Sequence, residues 1–151
     1  MPDADNAARD RTRRSFSIEE GAAILTRTPG TLDALLRGLP DGWMAATEGG
    51  DTWSPLDVVA HLVHTERTNW IPRVLILLEH GESRPFDEFD RFGHLKILSG
   101  RTVDTLLDEF AAARQESLGA LARAQPADLE RRGRHPALGP VALRQIMAAW
   151  V

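Results

Sequence analysis

The 151-residue sequence contains no cysteine and no tyrosine, and aromatic residues make up only 6% of it. The absence of cysteine excludes disulfide bonds, cysteine-ligated zinc and a thiol nucleophile. The sequence also has no Gly-x-Ser-x-Gly elbow and no glycine-rich phosphate loop, so it lacks the usual motifs of serine hydrolases and nucleotide-binding proteins. A net charge of −4 argues against a general nucleic-acid-binding protein, because such proteins neutralise phosphates with excess Lys and Arg. If the protein is an enzyme, a metal ion is the expected source of its chemistry.

Long hydrophobic runs are also missing. Residues 1–16 are polar, with a basic cluster at Arg11-Thr12-Arg13-Arg14 that no apolar run follows, which is unlike a signal peptide or a membrane anchor. We predict a disordered tail at 1–16 and one domain at 17–151, since 42% apolar residues suit a single core. We expect a cytoplasmic protein without membrane or nucleic-acid partners.

The stretch around Ser54 predicts the start of a long helix. Ser54 is an N-cap residue, Pro55 takes the first helical position, and Asp57 stands where a capping-box carboxylate is found. Trp53 is placed to pack on Val58 as a hydrophobic staple. The other helices can be arranged around this second helix.

After this cap, apolar residues recur at spacings of three and four, which predicts a helix buried along its length. The stripe consists of Leu56, Val59, Ala60, Val63, Trp70, Ile71, Val74, Leu77 and Leu78. Pro72 removes one backbone hydrogen bond, so we predict a kink near Thr68 or Asn69 within one helix. On a helical wheel His64 lies at the flank of the stripe and His61 further round, so neither is central to the core.

The first and third helices have their own start signals. The first should begin at Ser17, and Pro29-Gly30 should break or kink it. The third should run from a Thr102 cap to about Ala124, with the aliphatic stem of Arg114 buried in its apolar stripe.

A fourth helix is predicted to start at Pro140 and to reach the end of the sequence. It is short and mostly apolar, and it lacks a C-cap, so we expect either that the polypeptide continues or that the bundle is lopsided. Four helical stripes and no alternating strand pattern predict an all-α four-helix bundle without a sheet.

A long connection at Gly81–Gly100 separates the second and third helices. Its phenylalanines, Phe86, Phe89 and Phe92, alternate with charged residues. We expect the phenylalanines to close one end of the bundle, with a substrate lid as the alternative. Asp90 and Arg91 are weak candidates for supporting a site.

Five histidines are candidates for metal binding. His80 should lie at a helix C-terminus, where the helix dipole favours a cation, and we expect His94 and His135 to face solvent or bond within turns. His61 and His64 remain open: a pair at i, i+3 without a third donor is typical of packed, hydrogen-bonded histidines as well as of metal ligands.

Two segments resemble the DinB/YfiT-like superfamily. They are Trp-Ser-Pro-Leu-Asp-Val-Val-Ala-His-Leu at 53–62 and His-Pro-Ala-Leu-Gly-Pro-Val-Ala-Leu-Arg-Gln-Ile at 135–146, and the resemblance covers roughly residues 18 to 151. It implies a four-helix bundle in which His61 joins a His-x-x-x-His pair of the last helix around a divalent metal, with His64 in a supporting position. The sequence ends before the expected position of that pair, so the last helix looks incomplete.

The resemblance also implies a function. It favours a metal-dependent hydrolase or a transferase that uses a low-molecular-weight thiol, with a divalent Zn, Ni, Mn or Fe ion and a small-molecule substrate. The alternative is a non-catalytic binding or stress-associated protein with a degenerate site. Val58, Leu62 and Ile76 form a second apolar strip away from the core stripe, which predicts a homodimer.

Overall fold

The computed structural model describes residues 16–151. The predicted tail therefore lies outside the described residues, apart from Phe16, which packs against the core. Seven α-helices are present in this part of the chain: α1 Ile18–Leu36, α2 Asp41–Met44, α3 Pro55–Thr65, α4 Ile71–His80, α5 Leu95–Leu98, α6 Val103–Leu121 and α7 Leu143–Trp150. A π-helical turn, Glu66–Trp70, joins α3 to α4, and 3-10 turns occur at Gly81–Ser83 and Pro126–Glu130.

Four long elements form the bundle, namely α1, the joined α3 and α4, α6, and α7. Helix α6 packs against α1, α3 and α4, and α7 packs against α1 and α4. Their buried apolar faces form two clusters, one around Val59, Val63 and Phe110 and the other around Leu77, Leu143 and Met147. The predicted all-α four-helix bundle is confirmed. No helix in the described part of the chain has the length and apolarity needed to cross a membrane.

Of the break or kink predicted at Pro29-Gly30, the break is wrong, because α1 continues through both residues. Pro29 cannot donate a backbone hydrogen bond to the carbonyl oxygen of Leu25. The structure supplies another donor, since Nη1 of the buried Arg114 lies 2.8 Å from that oxygen. The helix thus continues past Pro29 with the freed acceptor satisfied.

The irregularity predicted near Thr68 or Asn69 is present as the π-turn. The backbone stays helical at both ends of the turn, at Thr65 and Ile71, so α3 and α4 form one continuous element. A π-turn accommodates an extra residue and shifts the faces that follow it relative to a straight wheel. This shift explains why Ile76, predicted on a surface strip, is only 6% exposed in the core.

The prediction that the fold has no sheet is also wrong in one place. Strands β1, Arg132–His135, and β2, Gly139–Ala142, pair antiparallel as a small hairpin that packs against α4. Pro140 lies in β2 opposite Arg134 and does not start the last helix, which begins at Leu143. A hairpin of four-residue strands is too short to produce a clear alternating pattern in the sequence.

Candidate metal site

The predicted cap at the start of α3 is confirmed and fixes the direction of the helix that carries His61. The Ser54 hydroxyl oxygen accepts from the Asp57 backbone N–H at 3.2 Å, and the Asp57 carboxylate accepts from the Ser54 N–H at 2.9 Å. The Trp53 ring packs on His61 and His94, with ring centroids 4.8 and 4.5 Å apart. Its staple contact with Val58 stays a prediction.

His61 lies on α3 with its ring half-buried. Its Nδ1 atom is buried and has no hydrogen-bond partner. Burial, followed by the nearby charges of His94, His64 and Arg91, lowers the pKa of His61 below its usual value. The ring is therefore neutral at pH 7, and neutral imidazole is the form that binds metals.

His64, one turn further along α3, holds the long loop in place. Its Nε2 donates to the carbonyl oxygen of Asp90 at 2.8 Å. Gly93 lies directly against the imidazole ring, so closely that a methyl group in its place would overlap ring atoms. Phe89 packs on another part of the ring, with centroids 5.2 Å apart. His64 thus joins the helix to the loop and has no free Nε2 for a metal.

His94 is 1% exposed, so the prediction of a solvent-facing side chain is wrong, whereas the prediction of a turn-bonding side chain is met. Its Nδ1 lies 3.3 Å from the carbonyl oxygen of Arg91, and its ring centroid is 5.5 Å from that of His61, with the two planes at 86°. The loop folds back over α3 and brings together two histidines that are 33 positions apart. A spacing rule within one helix could not detect this pair.

Asp90 and Arg91 form hydrogen bonds within the long loop. The Asp90 carboxylate accepts from the Phe92 N–H at 3.0 Å and from Lys96 Nζ at 3.2 Å, and these two hydrogen bonds lower its pKa. Arg91 contributes its carbonyl oxygen to His94. Both residues shape the turn that carries His94 against α3.

The remaining histidines lie elsewhere. His80 ends α4, as predicted, and its side chain is largely exposed. Nδ1 of His135 accepts from the backbone N–H groups of Ala137 and Leu138, at 3.1 and 3.2 Å, which confirms its turn-bonding role.

The described residues fit one ligand of a divalent ion without forming a complete set. Across residues 16–151, no group of three or more His, Cys, Asp or Glu side chains could hold a metal ion. The unpaired Nδ1 of His61 suits a ligand, since a buried imidazole nitrogen without a partner is energetically unfavourable. His61 alone does not make a metal site.

An apolar groove opens beside Trp53, between the C-terminal part of α1 and the start of α3. Its volume is about 510 Å³, within the range of small-molecule pockets. Its lining includes Leu35, Trp43, Trp53 and Val58, all strongly exposed. Because Trp53 lines the groove and also contacts His61, the groove adjoins His61.

A second buried polar cluster surrounds the π-turn. The Arg114 guanidinium contacts both Glu66 carboxylate oxygens, through Nε at 2.6 Å and Nη2 at 3.0 Å. The Trp150 indole N–H donates to the same carboxylate at 3.0 Å, and its ring stacks on Trp70 with centroids 6.3 Å apart. Sequence reasoning predicted burial of the Arg114 stem but missed its partner, because Glu66 lies 48 positions away.

Comparisons with known proteins agree with this architecture. Residues 24–151 match the DinB superfamily, and no curated protein matches the sequence. A solved structure of YfiT from Bacillus subtilis, described as a probable metal-dependent hydrolase with an unusual four-helix bundle topology, is similar with a TM-score of 0.74. The similarity covers 89% of this chain and 79% of that chain at 18% identity, and at that identity it shows the shared fold. Since the family match spans most of the sequence, the chain belongs to the DinB superfamily.

Proposed function

We propose that this protein is a metal-dependent enzyme acting on a small molecule, with His61 as one metal ligand. The observation that carries the proposal is the buried Nδ1 of His61, which has no hydrogen-bond partner on a ring whose burial favours the neutral form. Membership of the DinB superfamily and the fold shared with YfiT support it. A divalent Zn, Ni, Mn or Fe ion with open positions would lower the pKa of a bound water or thiol. A hydrolase and a low-molecular-weight-thiol transferase are the two reaction classes we propose.

Helix α7 packs close to the element that carries His61. Helix α7 follows the hairpin, which packs beside the end of α4, and it ends where Trp150 bonds Glu66 at the π-turn. Glu66 lies five positions after His61 on the same continuous element. The end of α7 therefore lies within about two helical turns of His61, counted along the second element.

The groove beside Trp53 is the proposed substrate cavity. Its apolar lining and volume suit a small molecule with an apolar portion. Trp53 would place that portion next to His61, because its ring lies against the imidazole.

The metal content of purified variants tests the proposal. In the purified protein, His61→Ala should lose bound metal and keep its helical circular dichroism spectrum, whereas His64→Ala should lose less metal than His61→Ala does. His135→Ala is the matched control, because that ring bonds within the hairpin turn and should leave metal content unchanged. If His61 is only a packed histidine, His61→Ala would cost about 1–3 kcal/mol of stability with no change in metal content, and the proposal would be wrong.

The second candidate function is a non-catalytic binding or stress-associated protein that keeps the fold. The absence of a three-donor cluster in residues 16–151 favours it. Full-length protein that purifies without metal, and that binds none when Zn²⁺ or Ni²⁺ is added at micromolar concentration, would decide for this alternative.

A homodimer and a cytoplasmic location stay predictions. With Ile76 in the core, the exposed strip consists of Val58, which is 42% exposed, and the half-buried Leu62. Light scattering at micromolar concentration should give twice the chain mass, and Val58→Glu should reduce it to the monomer value by placing a charge in the contact. A monomer mass for the unaltered protein would contradict the prediction.

A further inference from the structure

We propose that His94 provides a second imidazole ligand, so that His61 and His94 together bind one divalent cation between α3 and the loop above it. The inference rests on the proposed role of His61 and assigns the second donor to the loop.

The separation of the two rings carries the inference. An imidazole nitrogen binds Zn²⁺ at about 2.0–2.1 Å, and two imidazoles on one tetrahedral ion therefore have ring centroids about 5 Å apart. The centroids of His61 and His94 are 5.5 Å apart, with ring planes at 86°. The separation of the centroids is therefore compatible with both rings binding one ion.

Each of the two rings has a nitrogen available for binding a metal ion. Nδ1 of His61 is buried and unpaired. Nδ1 of His94 faces the Arg91 carbonyl oxygen, an acceptor, which favours the tautomer with the proton on Nδ1 and leaves the lone pair on Nε2. Such a carbonyl partner on the second nitrogen is usual for metal-bound histidines.

Neighbouring residues hold His94 in its position. The hydrogen bond from His64 to the Asp90 carbonyl oxygen fixes the loop four residues before His94, and Gly93 fits against the His64 ring. His64 is thus a positioning residue for the second ligand. His94 is buried to 1% exposure, and its one hydrogen bond, at 3.3 Å, is made through Nδ1.

Trp53 is the third ring at the proposed site and affects the access of water to it. Its ring contacts both imidazoles and would shield one side of the ion from water. Two imidazoles leave the other coordination positions to water or substrate, which suits the borderline ions Zn²⁺, Ni²⁺ and Cu²⁺ better than Mg²⁺ or Ca²⁺.

Titration of the chelator-treated 151-residue protein with Zn²⁺ or Ni²⁺ alone tests the inference by calorimetry. His61→Gln and His94→Gln should each weaken binding at least tenfold, the double variant should be little weaker than either single one, and His135→Gln should bind like the unaltered protein. Mg²⁺ should not compete. Circular dichroism and urea unfolding of each variant establish that the fold is retained.

NMR of the unaltered protein provides a measurement that does not depend on variant folding. Zn²⁺ should shift the ring signals of His61 and His94 together, in the same saturable titration, and leave those of His135 in place. Binding that His61→Gln abolishes and His94→Gln leaves within twofold would overturn the inference while the proposed function stands. If neither variant changes binding, both the inference and the proposed role of His61 fail.

Discussion

Nη1 of Arg114 lies 2.8 Å from the carbonyl oxygen of Leu25, the acceptor that Pro29 leaves without its usual helical donor. The same guanidinium contacts both carboxylate oxygens of Glu66 and lies over the ring of Phe110, with Cζ 4.8 Å from the ring centroid. One buried side chain of α6 therefore completes α1 and holds the π-turn that follows α3. All four bundle elements meet at this residue, because its Cζ also lies 5.6 Å from the ring centroid of Trp150 on α7.

Loss of Arg114 should be among the most destabilising single changes in the chain. Arg114→Ala leaves the Glu66 carboxylate buried at 1% exposure without its cation, and breaking such a pair costs about 3–5 kcal/mol. Urea unfolding followed by circular dichroism measures this loss. The control is Arg37→Ala, which removes exposed ion pairs with Asp33 and Asp108 and should change stability far less. Equal losses in the two variants would show that the buried pair is not specially important.

Pro29 and Arg114 should be energetically coupled. In Pro29→Ala the backbone N–H of residue 29 can bond the Leu25 carbonyl oxygen, so that oxygen no longer depends on Arg114. Arg114→Ala should therefore cost about 1 kcal/mol less in the Pro29→Ala background than in the unaltered protein. A double-mutant cycle from urea unfolding measures the difference, and a coupling of zero would mean that the contact with Leu25 contributes nothing.

Local signals predicted much of this fold, and long-range pairings account for what they missed. The Ser54 cap and the irregularity before Pro72 follow from a few neighbouring residues, and both are present. The carbonyl oxygen of Leu25, which Pro29 leaves without its helical donor, is bonded by Arg114, 89 positions away. The burial of Ile76 depends on a π-turn, which a wheel of fixed angle cannot represent.

The same distinction between local signals and long-range pairings applies to the candidate site. His61 could be selected because it lies on a well-capped helix within a family motif. His94 could not, because only the fold of the loop, held by His64 and closed by Gly93, brings it to His61. The glycine next to His94 was the one local sign that the backbone there must approach another group closely.

Gly93→Ala should displace the loop from α3. The added methyl group would overlap the His64 imidazole, so either the ring or the loop backbone must move, and the hydrogen bond to the Asp90 carbonyl oxygen would be strained. We expect a stability loss of about 1–3 kcal/mol, as for overpacking, and faster amide exchange from Asp90 to His94. Hydrogen exchange with mass spectrometry measures the local effect.

Gly119→Ala is the matched control for this substitution. Gly119 lies on the exposed face of α6 with no neighbour near an added methyl group, so alanine should stabilise the helix by about 1 kcal/mol. If Gly93→Ala were as harmless as Gly119→Ala, the close packing of the loop on His64 would be disproved.

The stability of the metal-free protein should fall as the pH is lowered below about 6.5, the ordinary pKa of histidine. Burial lowers the pKa values of His61 and His135 in the folded state, so between the folded and unfolded pKa values the unfolded chain binds more protons. The free energy of unfolding therefore decreases as the pH falls through this window and levels off, for these two groups, below the folded pKa values. Above the ordinary pKa both histidines are neutral in the folded and in the unfolded chain, so their contribution to the free energy of unfolding is constant.

Urea midpoints measured with EDTA between about pH 5 and 8 should show this slope. His61→Gln and His135→Gln should each reduce it. The double variant should reduce it by the sum, because His61 lies on α3 and His135 in strand β1 beside α4, and the two do not share a partner. Burial is the largest cause of both pKa shifts. The charges of His94, His64 and Arg91 also lower the pKa of His61, and the charge of Arg73 also lowers that of His135. A slope in the double variant equal to that of the unaltered protein would show that neither imidazole is held in its neutral form by the fold.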